Sequence, residues 1–396
     1  MGRSTKTELF LIAASHLVSD DPVYNAAHLA RYVELVRRCA VDDPEWTARL
    51  LRWVRHEADL VSSAFIGAAE FVAARRAAGQ HGLSRQVVDS VLRQADEPGW
   101  LLAYWNHWHG RTLPKPLKRG VADAVRRLYT ERSLLAHDGS SLSIRFGDVL
   151  ARVHPAPVDA HQAALFSYAV DRRYRRNAEI PAELAVVRAR AALSAVPVRS
   201  RRLDAAAVAD GGITWVSVHG WLKRQLTAAE WEVLLPTMTD RQLLRSLPEL
   251  EQAGLGDVRA PAGRSVPRVP GHTLVLIDTA AGFERGADLL ASNCEHAQIV
   301  RWRRGGGFLR RDDVVRVIRK WFRRHDRVVV VTGEQDIDGP LHRAVPRSVP
   351  LHVWSLGRSG PASVSVPNRY CYDGLSESAF RAIGLLETGE QGLWPF

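Results

Sequence analysis

At 396 residues the chain is longer than one hydrophobic core ordinarily organises, so two domains of common size are expected. Hydrophobic residues at 46% and charged residues at 24% exclude an intrinsically disordered chain. No stretch approaches the roughly 20 apolar residues of a membrane-crossing helix. The net charge is +11, which directs attention to polyanionic partners.

Arginine carries nearly all of the positive charge, since only Lys6, Lys115, Lys118, Lys223 and Lys320 are lysines. A planar guanidinium forks onto phosphate and stacks on bases. A genome rich in GC codons accounts equally well for the Arg/Lys ratio, but not for its clustering. Residues 172–202 hold nine arginines against Glu179 and Glu183, and residues 299–327 hold ten arginines and Lys320 against three aspartates. Such patches are the electrostatic footprint of a polyanion partner.

In chain order, the apolar run Leu9 to Ala14 is followed by Asp20 and Asp21 without a small-residue cleavage site. No leader is expected there, and the cytoplasm is the expected compartment. From about residue 27 to 254 the pattern is helical. Leu29, Val33 and Val36 share one face, and Asp43-Pro44 reads as an N-cap with proline at the first helical position. Trp46, Leu50, Trp53 and Val54 form the stripe of the next helix, and Leu117, Val121, Val125 and Leu128 repeat it later. Thr227-x-x-Glu230 and Thr239-x-x-Gln242 read as capping boxes, and Gly254 as a C-terminal stop. Many helices with short connectors predict a stacked helix-pair solenoid, although no fixed repeat period stands out. Gly- and Pro-rich residues 255–271 predict a linker. Beyond it, Thr273 to Asp278 and Arg327 to Thr332 are buried strands, with a third at Leu351 to Leu356. Residues 311–325 predict an amphipathic helix, and Ser376 caps a final one. This alternation predicts a doubly wound parallel sheet. Cys39, Cys294 and Cys371 lack any CxxC spacing and read as buried thiols.

Several segments resemble one family in the expected order. Leu117-Lys118-Arg119-Gly120-Val121-Ala122-Asp123 is similar to a helix of the TROVE module. Arg145 to Leu150, ending in His154-Pro155, resembles its D-x-L-x-x-x-H-x-x-P segment, and Trp231 to Gly254 its W-x-x-L-x-P-x-M signature, with Ser246 where asparagine is usual. The Asp278 strand and the stretch Asn368 to Phe380 resemble the von Willebrand factor A domain that closes Ro proteins. The resemblance implies a mainly α fold: a HEAT-like helical-repeat TROVE solenoid or ring over residues 1–268, then a small α/β A-like (Rossmannoid) domain over 269–396. It implies a non-enzymatic Ro-type protein that binds small structured, Y-like non-coding RNA or the ends of misfolded RNA. RNA quality control or an RNP scaffold would be its role, with an exoribonuclease or another RNA-processing protein as companion. The helical part is shorter than in well-known members.

The A domain's metal site opens D-x-S-x-S, but here Asp278 is followed by Ala280 and Gly282 in place of both serines. Gly333 and Gly305-Gly306-Gly307 stand where an acid and a threonine are common. Magnesium requires near-octahedral oxygen ligands, so no metal is expected, and no other cofactor is indicated.

His154 carries over from the resemblance as an RNA contact; its plain reading is a helix-end cap. Arg172, Arg173, Arg175 and Arg176 surround Tyr174, a stacking face amid cations, against the plain reading of a solvated helix face. Lys118 and Arg119 with Arg126 and Arg127 fit one face two turns apart. Trp100, Tyr104, Trp105, His107, Trp108 and His109 are expected to be core, because tryptophans at helical spacing usually are. The alternative function is a protein-interaction scaffold without a dedicated RNA. A metal-dependent nuclease is a third reading that no motif supports.

Overall fold

The computed structural model describes residues 3–17, 26–175, 178–238, 240–255, 268–279, 288, 290–302, 312–332, 341, 343–355, 363–372 and 377–396. Two compact units result, Met1–His81 with Val266–Phe396, and Gly82–Ser265. This division differs from the sequence-based boundary at 268/269, because the first helices group with the sheet.

In the first unit the helices are α1 (Thr5–Ser15), α2 (Ala26–Asp42), α3 (Pro44–His56) and α4 (Val61–Ala77). Asp43 caps α3 as its spacing predicts, accepting a hydrogen bond from the Trp46 amide, with Pro44 in the first turn. The run Leu9 to Ala14 lies in α1 and is buried on every side. A helix apolar all round belongs inside a core.

The sheet explains what surrounds it. Strands β1 (Val269–Asp278), β2 (Cys294–Trp302), β3 (Arg327–Thr332), β4 (Leu351–Ser355), β5 (Ser363–Val366) and β6 (Arg369–Tyr372) run in the order β2-β1-β3-β4-β6-β5. All neighbours are parallel except β5 and β6. β3 is buried throughout, as a strand covered on both faces must be. On one face Leu274, Leu276, Val328, Val330 and Val353 pack with Val314 and Ile318 of α16 (Asp312–Trp321).

The other face carries buried polar groups that fasten the helix Glu377–Glu390 (α17). Arg327 donates to both Glu387 oxygens, at 2.8 and 2.9 Å, and the His352 ring lies 3.0 Å from Glu387 and 2.9 Å from the Tyr372 hydroxyl. Burial pushes the Glu387 carboxyl up, but His352 and Arg327 outweigh it and hold it at about 2. α17 in turn lies on α1. A Cβ at Gly389 would meet the Phe10 ring at 2.4 Å, and Arg3 pairs with Glu390 at 2.7 Å. Trp394 and Phe396 pack tilted or edge-on against Phe10 and Trp46, with ring centroids 5.3–6.2 Å apart.

The second unit is helical. It comprises α5 (Ser84–Val91), α6 (Glu97–His109), α7 (Lys115–Leu128), α8 (Glu131–His137), α9 (Phe146–Val153), α10 (Ala160–Tyr174), α11 (Ala185–Ala195), α12 (Ala205–Ala209), α13 (Trp215–Leu222), α14 (Ala228–Leu234) and α15 (Asp240–Gln252). The Thr227/Glu230 capping box forms, whereas Thr239 lies outside the described residues. Gly254 adopts φ +81° and the Leu255 amide reaches back to the Leu250 carbonyl at 2.8 Å, which closes α15. Trp231 of the signature segment sits in a core with Leu203, Ile213, Trp221, Leu234 and Leu250. All three cysteines are free and buried. Among the described residues no helix is long and apolar enough to cross a membrane.

Two elements differ from the sequence expectations in their bounds. The predicted helix 311–325 is shorter, at Asp312–Trp321. β1 begins inside the predicted linker, at Val269, whose amide bonds to the Asn293 carbonyl. Ser376, the expected cap of α17, and most of the linker lie outside the described residues.

Candidate nucleic-acid interface

The packing of α5 on α7 decides where the cations of α7 point. Leu117, Gly120, Val121, Ala124 and Val125 are buried. A Cβ at Gly120 would lie 2.6 Å from both the Arg85 carbonyl oxygen and the Val88 Cβ. Only glycine permits that approach, so the two helices meet at backbone distance. The opposite face of α7 then carries Lys115, Lys118, Arg119, Ala122 and Arg126, at spacings of three, four and seven residues.

These residues line a cleft of about 410 Å³ with Arg85, Asp123, Val153, His154, Pro155 and Ala156. Arg85 donates to Asp123 at 2.8 Å, and that hydrogen bond holds the Asp123 carboxyl below the usual carboxylate range. Asp123 is the single acid of the lining. Among the described residues Lys115, Lys118, Arg119 and Arg126 form no ion pair, so their charge is available to a ligand.

His154 reaches the cleft from α9. It is the left-handed C-cap of that helix, at φ 48° and ψ 60°, with its amide on the Leu150 carbonyl at 3.0 Å. Non-glycine residues rarely adopt this conformation, and it turns the imidazole outward before Pro155. His154 also borders a shallower hollow of about 360 Å³ lined by Leu150, Phe166, Val170 and Asp171. The ring is exposed and makes no hydrogen bond among the described residues.

The sequence-predicted residues therefore divide. Lys118, Arg119, Arg126 and His154 come together in one cleft. Arg127 does not join them: it turns to α5, donating to the Asp89 carboxylate at 2.8 Å and the Leu92 carbonyl at 3.1 Å. One residue along a helix is a rotation of about 100°, enough to move it off the face. Arg85 and Lys115 belong to the cleft and were missed. Lys115 shares the α7 spacing and could have been found from it, whereas Arg85 is brought in only by packing.

The arginine run of 172–176 has a different environment. Arg173 donates to Asp148 at 2.7 Å, and the Tyr174 hydroxyl donates to the other Asp148 oxygen at 2.9 Å. Burial pushes the Asp148 carboxyl up, but the Arg145 amide, Arg173 and Tyr174 hold it below the ordinary range. Arg172 lies 3.7 Å from the buried Asp138, and Arg175 3.1 Å from Asp171. Arg176 lies outside the described residues. Two acids distant in sequence, Asp138 and Asp148, and the adjacent Asp171 thus lie beside a run that carries no acid within itself. Of the other arginines in 172–202, Arg190 is buried on the carbonyls of Gly211 and Gly212, and Arg201 donates to the Trp221 carbonyl at 2.6 Å.

The expected core position of the α6 aromatics holds for Trp105, which is 2% exposed, and fails for Trp100 and Trp108, at 38% and 60%. Helical spacing puts Trp105 on the inner face and the other two on the outer one.

At the end of β1, Asp278 is buried beside Thr332, 3.4 Å away, at the point where the strand order reverses. Thr279 spends its hydroxyl on the Trp302 carbonyl. Among the described residues no group of three or more His, Cys, Asp or Glu side chains could hold a metal. Ala280, Gly282, Gly305 to Gly307 and Gly333 lie outside the described residues.

No protein-family model matches the chain, and no curated protein is similar to it in sequence. Among solved structures it is similar to the crystal structure of the Ro (RSR) protein of Deinococcus radiodurans. The TM-score is 0.62 over 91% of this chain and 93% of that one, with 14% of residues identical. At that identity the likeness establishes the fold: the helical-repeat architecture with its small, mostly parallel A-like sheet is that of a bacterial Ro protein.

Proposed function

We propose that this chain, which carries the Ro fold, is an RNA-binding protein that grips a small structured RNA along the outer face of α7. The observation that carries the reading is the unneutralised row Lys115, Lys118, Arg119 and Arg126 facing His154 across one cleft. Four cations with a single, already paired acid match a phosphate backbone, and His154 adds a ring that donates or stacks. The cleft pairs no nucleophile with a base, so the reading is of a binder rather than a catalyst. Y-like non-coding RNA and misfolded RNA ends are the ligands the family resemblance suggests. A role in RNA quality control or as an RNP scaffold in the cytoplasm, with an exoribonuclease or other processing protein as companion, belongs to the same proposal.

The test is sequencing of the RNA that co-purifies from the native host, beside a Lys118→Ala/Arg119→Ala/Arg126→Ala variant. A small structured RNA enriched with the parent protein and lost from the variant supports the reading. Partners that survive RNase treatment without any enriched RNA overturn it in favour of a protein scaffold.

A further inference from the structure

The outer face of α6 is aromatic, and the cleft makes no use of it. Trp100, Tyr104 and Trp108 follow one another every four residues, so they stand in one stripe about 6 Å apart along the axis. Trp100 and Trp108 are exposed, while Trp105 turns inward and donates to the Thr112 carbonyl at 3.1 Å. Trp100 at 38% and Trp108 at 60% exposure leave apolar ring surface in water, an arrangement that marks a contact surface.

The geometry suits a flat ligand. The Tyr104 and Trp108 ring centroids lie 6.3 Å apart with 41° between their planes. A stacked base occupies about 3.4 Å, so a ring on each side of one base sits close to twice that distance. His107 meets Trp108 edge-on at 4.8 Å, which extends the aromatic surface at the helix end.

That end is fastened to the cleft. Arg152 donates to the Asn106 side chain at 2.7 Å and to the Arg111 carbonyl at 3.0 Å, and it stands two residues before His154. Burial and the nearby Arg111 guanidinium both lower the Arg152 pKa, so two cations share this junction. A strand leaving the cleft toward α6 would keep cations beside its phosphates while its bases meet rings. Alternation of cation and ring is how single strands are held without reading their sequence.

We infer that the Trp100/Tyr104/Trp108 stripe is a stacking platform for the unpaired bases that flank an RNA whose phosphates lie in the cleft. The inference rests on the RNA reading of the cleft and adds to it a second subsite with its own ligand chemistry.

Two labelled hairpins with the same stem, one blunt and one with a short oligouridine tail, distinguish the subsites by fluorescence anisotropy at fixed salt. The parent protein should bind the tailed hairpin more tightly. Trp100→Ala/Trp108→Ala should lose about tenfold or more on the tailed hairpin, given what stacking contributes per base, and nothing on the blunt one. Trp108→Tyr, which keeps a ring face, should restore most of the loss when combined with native Trp100. Equal affinity of the parent for both hairpins, or a double variant that keeps the tail-dependent gain, overturns the platform. In that event the Lys118/Arg119/Arg126 variant still weakens both hairpins and the cleft reading stands. A parent protein that binds neither hairpin overturns both.

Discussion

The two cationic clusters of the helical unit look alike as sequence and behave differently as structure. Along α7, Lys115, Lys118, Arg119 and Arg126 face a cleft with one acid among them, and that acid is occupied by Arg85. In the run from Arg172 to Arg175, each arginine stands within 2.7–3.7 Å of an aspartate oxygen, on Asp138, Asp148 or Asp171. In the denser cluster Arg173 joins α10 to α9, Arg172 reaches Asp138 at the end of α8, and Arg175 pairs within its own helix. α9 and α10 approach closely: a Cβ at Gly147 would lie 2.5 Å from the Arg173 Cβ and 2.7 Å from the Ala169 carbonyl oxygen. Charge available to a ligand is what remains after tertiary pairing.

The largest expected effect tests the α7 side. Lys118→Ala/Arg119→Ala/Arg126→Ala should weaken RNA binding about a hundredfold near 0.1 M salt and flatten the log–log salt slope by about three. Its melting temperature should stay near the parent's, because among the described residues the three side chains form no hydrogen bond or ion pair. A variant with an unchanged slope would show that these cations do not meet phosphate.

Arg173→Ala should show the opposite signature. Loss of its half-exposed pair with Asp148 should cost about 1 kcal/mol by urea unfolding, a figure that already allows for solvent screening. RNA affinity should change less than twofold. A large affinity loss at unchanged stability would instead place the 172–176 run in the interface and dissolve the contrast between the clusters.

A smaller effect follows from Asp148 itself. Its folded pKa lies below the unfolded value of 3.8, so it binds fewer protons when folded. The stability it contributes is present above about pH 4 and lost as pH falls through the depressed folded value. Comparing melting temperatures of the parent and Asp148→Asn across that range should show a gap that narrows with acid. A gap that widens would contradict the sign.

The smallest expected effect is none at all. Millimolar magnesium, or its removal by EDTA, should leave the melting temperature unchanged, since among the described residues no group of three or more His, Cys, Asp or Glu side chains could hold a metal. A rise in melting temperature with magnesium, abolished by Asp278→Ala, would show a metal site at the end of β1.

Much of the architecture was legible in the sequence because local physics writes it there. Asp43-Pro44, the Thr227/Glu230 box and Gly254 act within one helical turn of themselves, so their signals need no distant partner. β3 reads as an apolar run because both faces are covered. β2 was not visible: it is an edge strand whose Glu295, His296 and Gln298 face solvent, and its pattern has no apolar period. The short β5 and β6 carry too few residues to show one. Lys118, Arg119, Arg126 and His154 were legible through the resemblance and the α7 spacing. Arg85 was not, because nothing near it in sequence says which helix it will face.

What the sequence determined alone is the inventory: where helices start and stop, which strands are central, and how much positive charge the chain carries. Tertiary structure decided how that inventory is spent. It buried the run Leu9 to Ala14 against α17, turned Trp100 and Trp108 outward, and gave Arg172 and Arg173 their aspartates while leaving the α7 row without an ion pair among the described residues. The physical reason is range. Capping and helical period act over a few residues, whereas ion pairs and burial depend on which surfaces meet after folding.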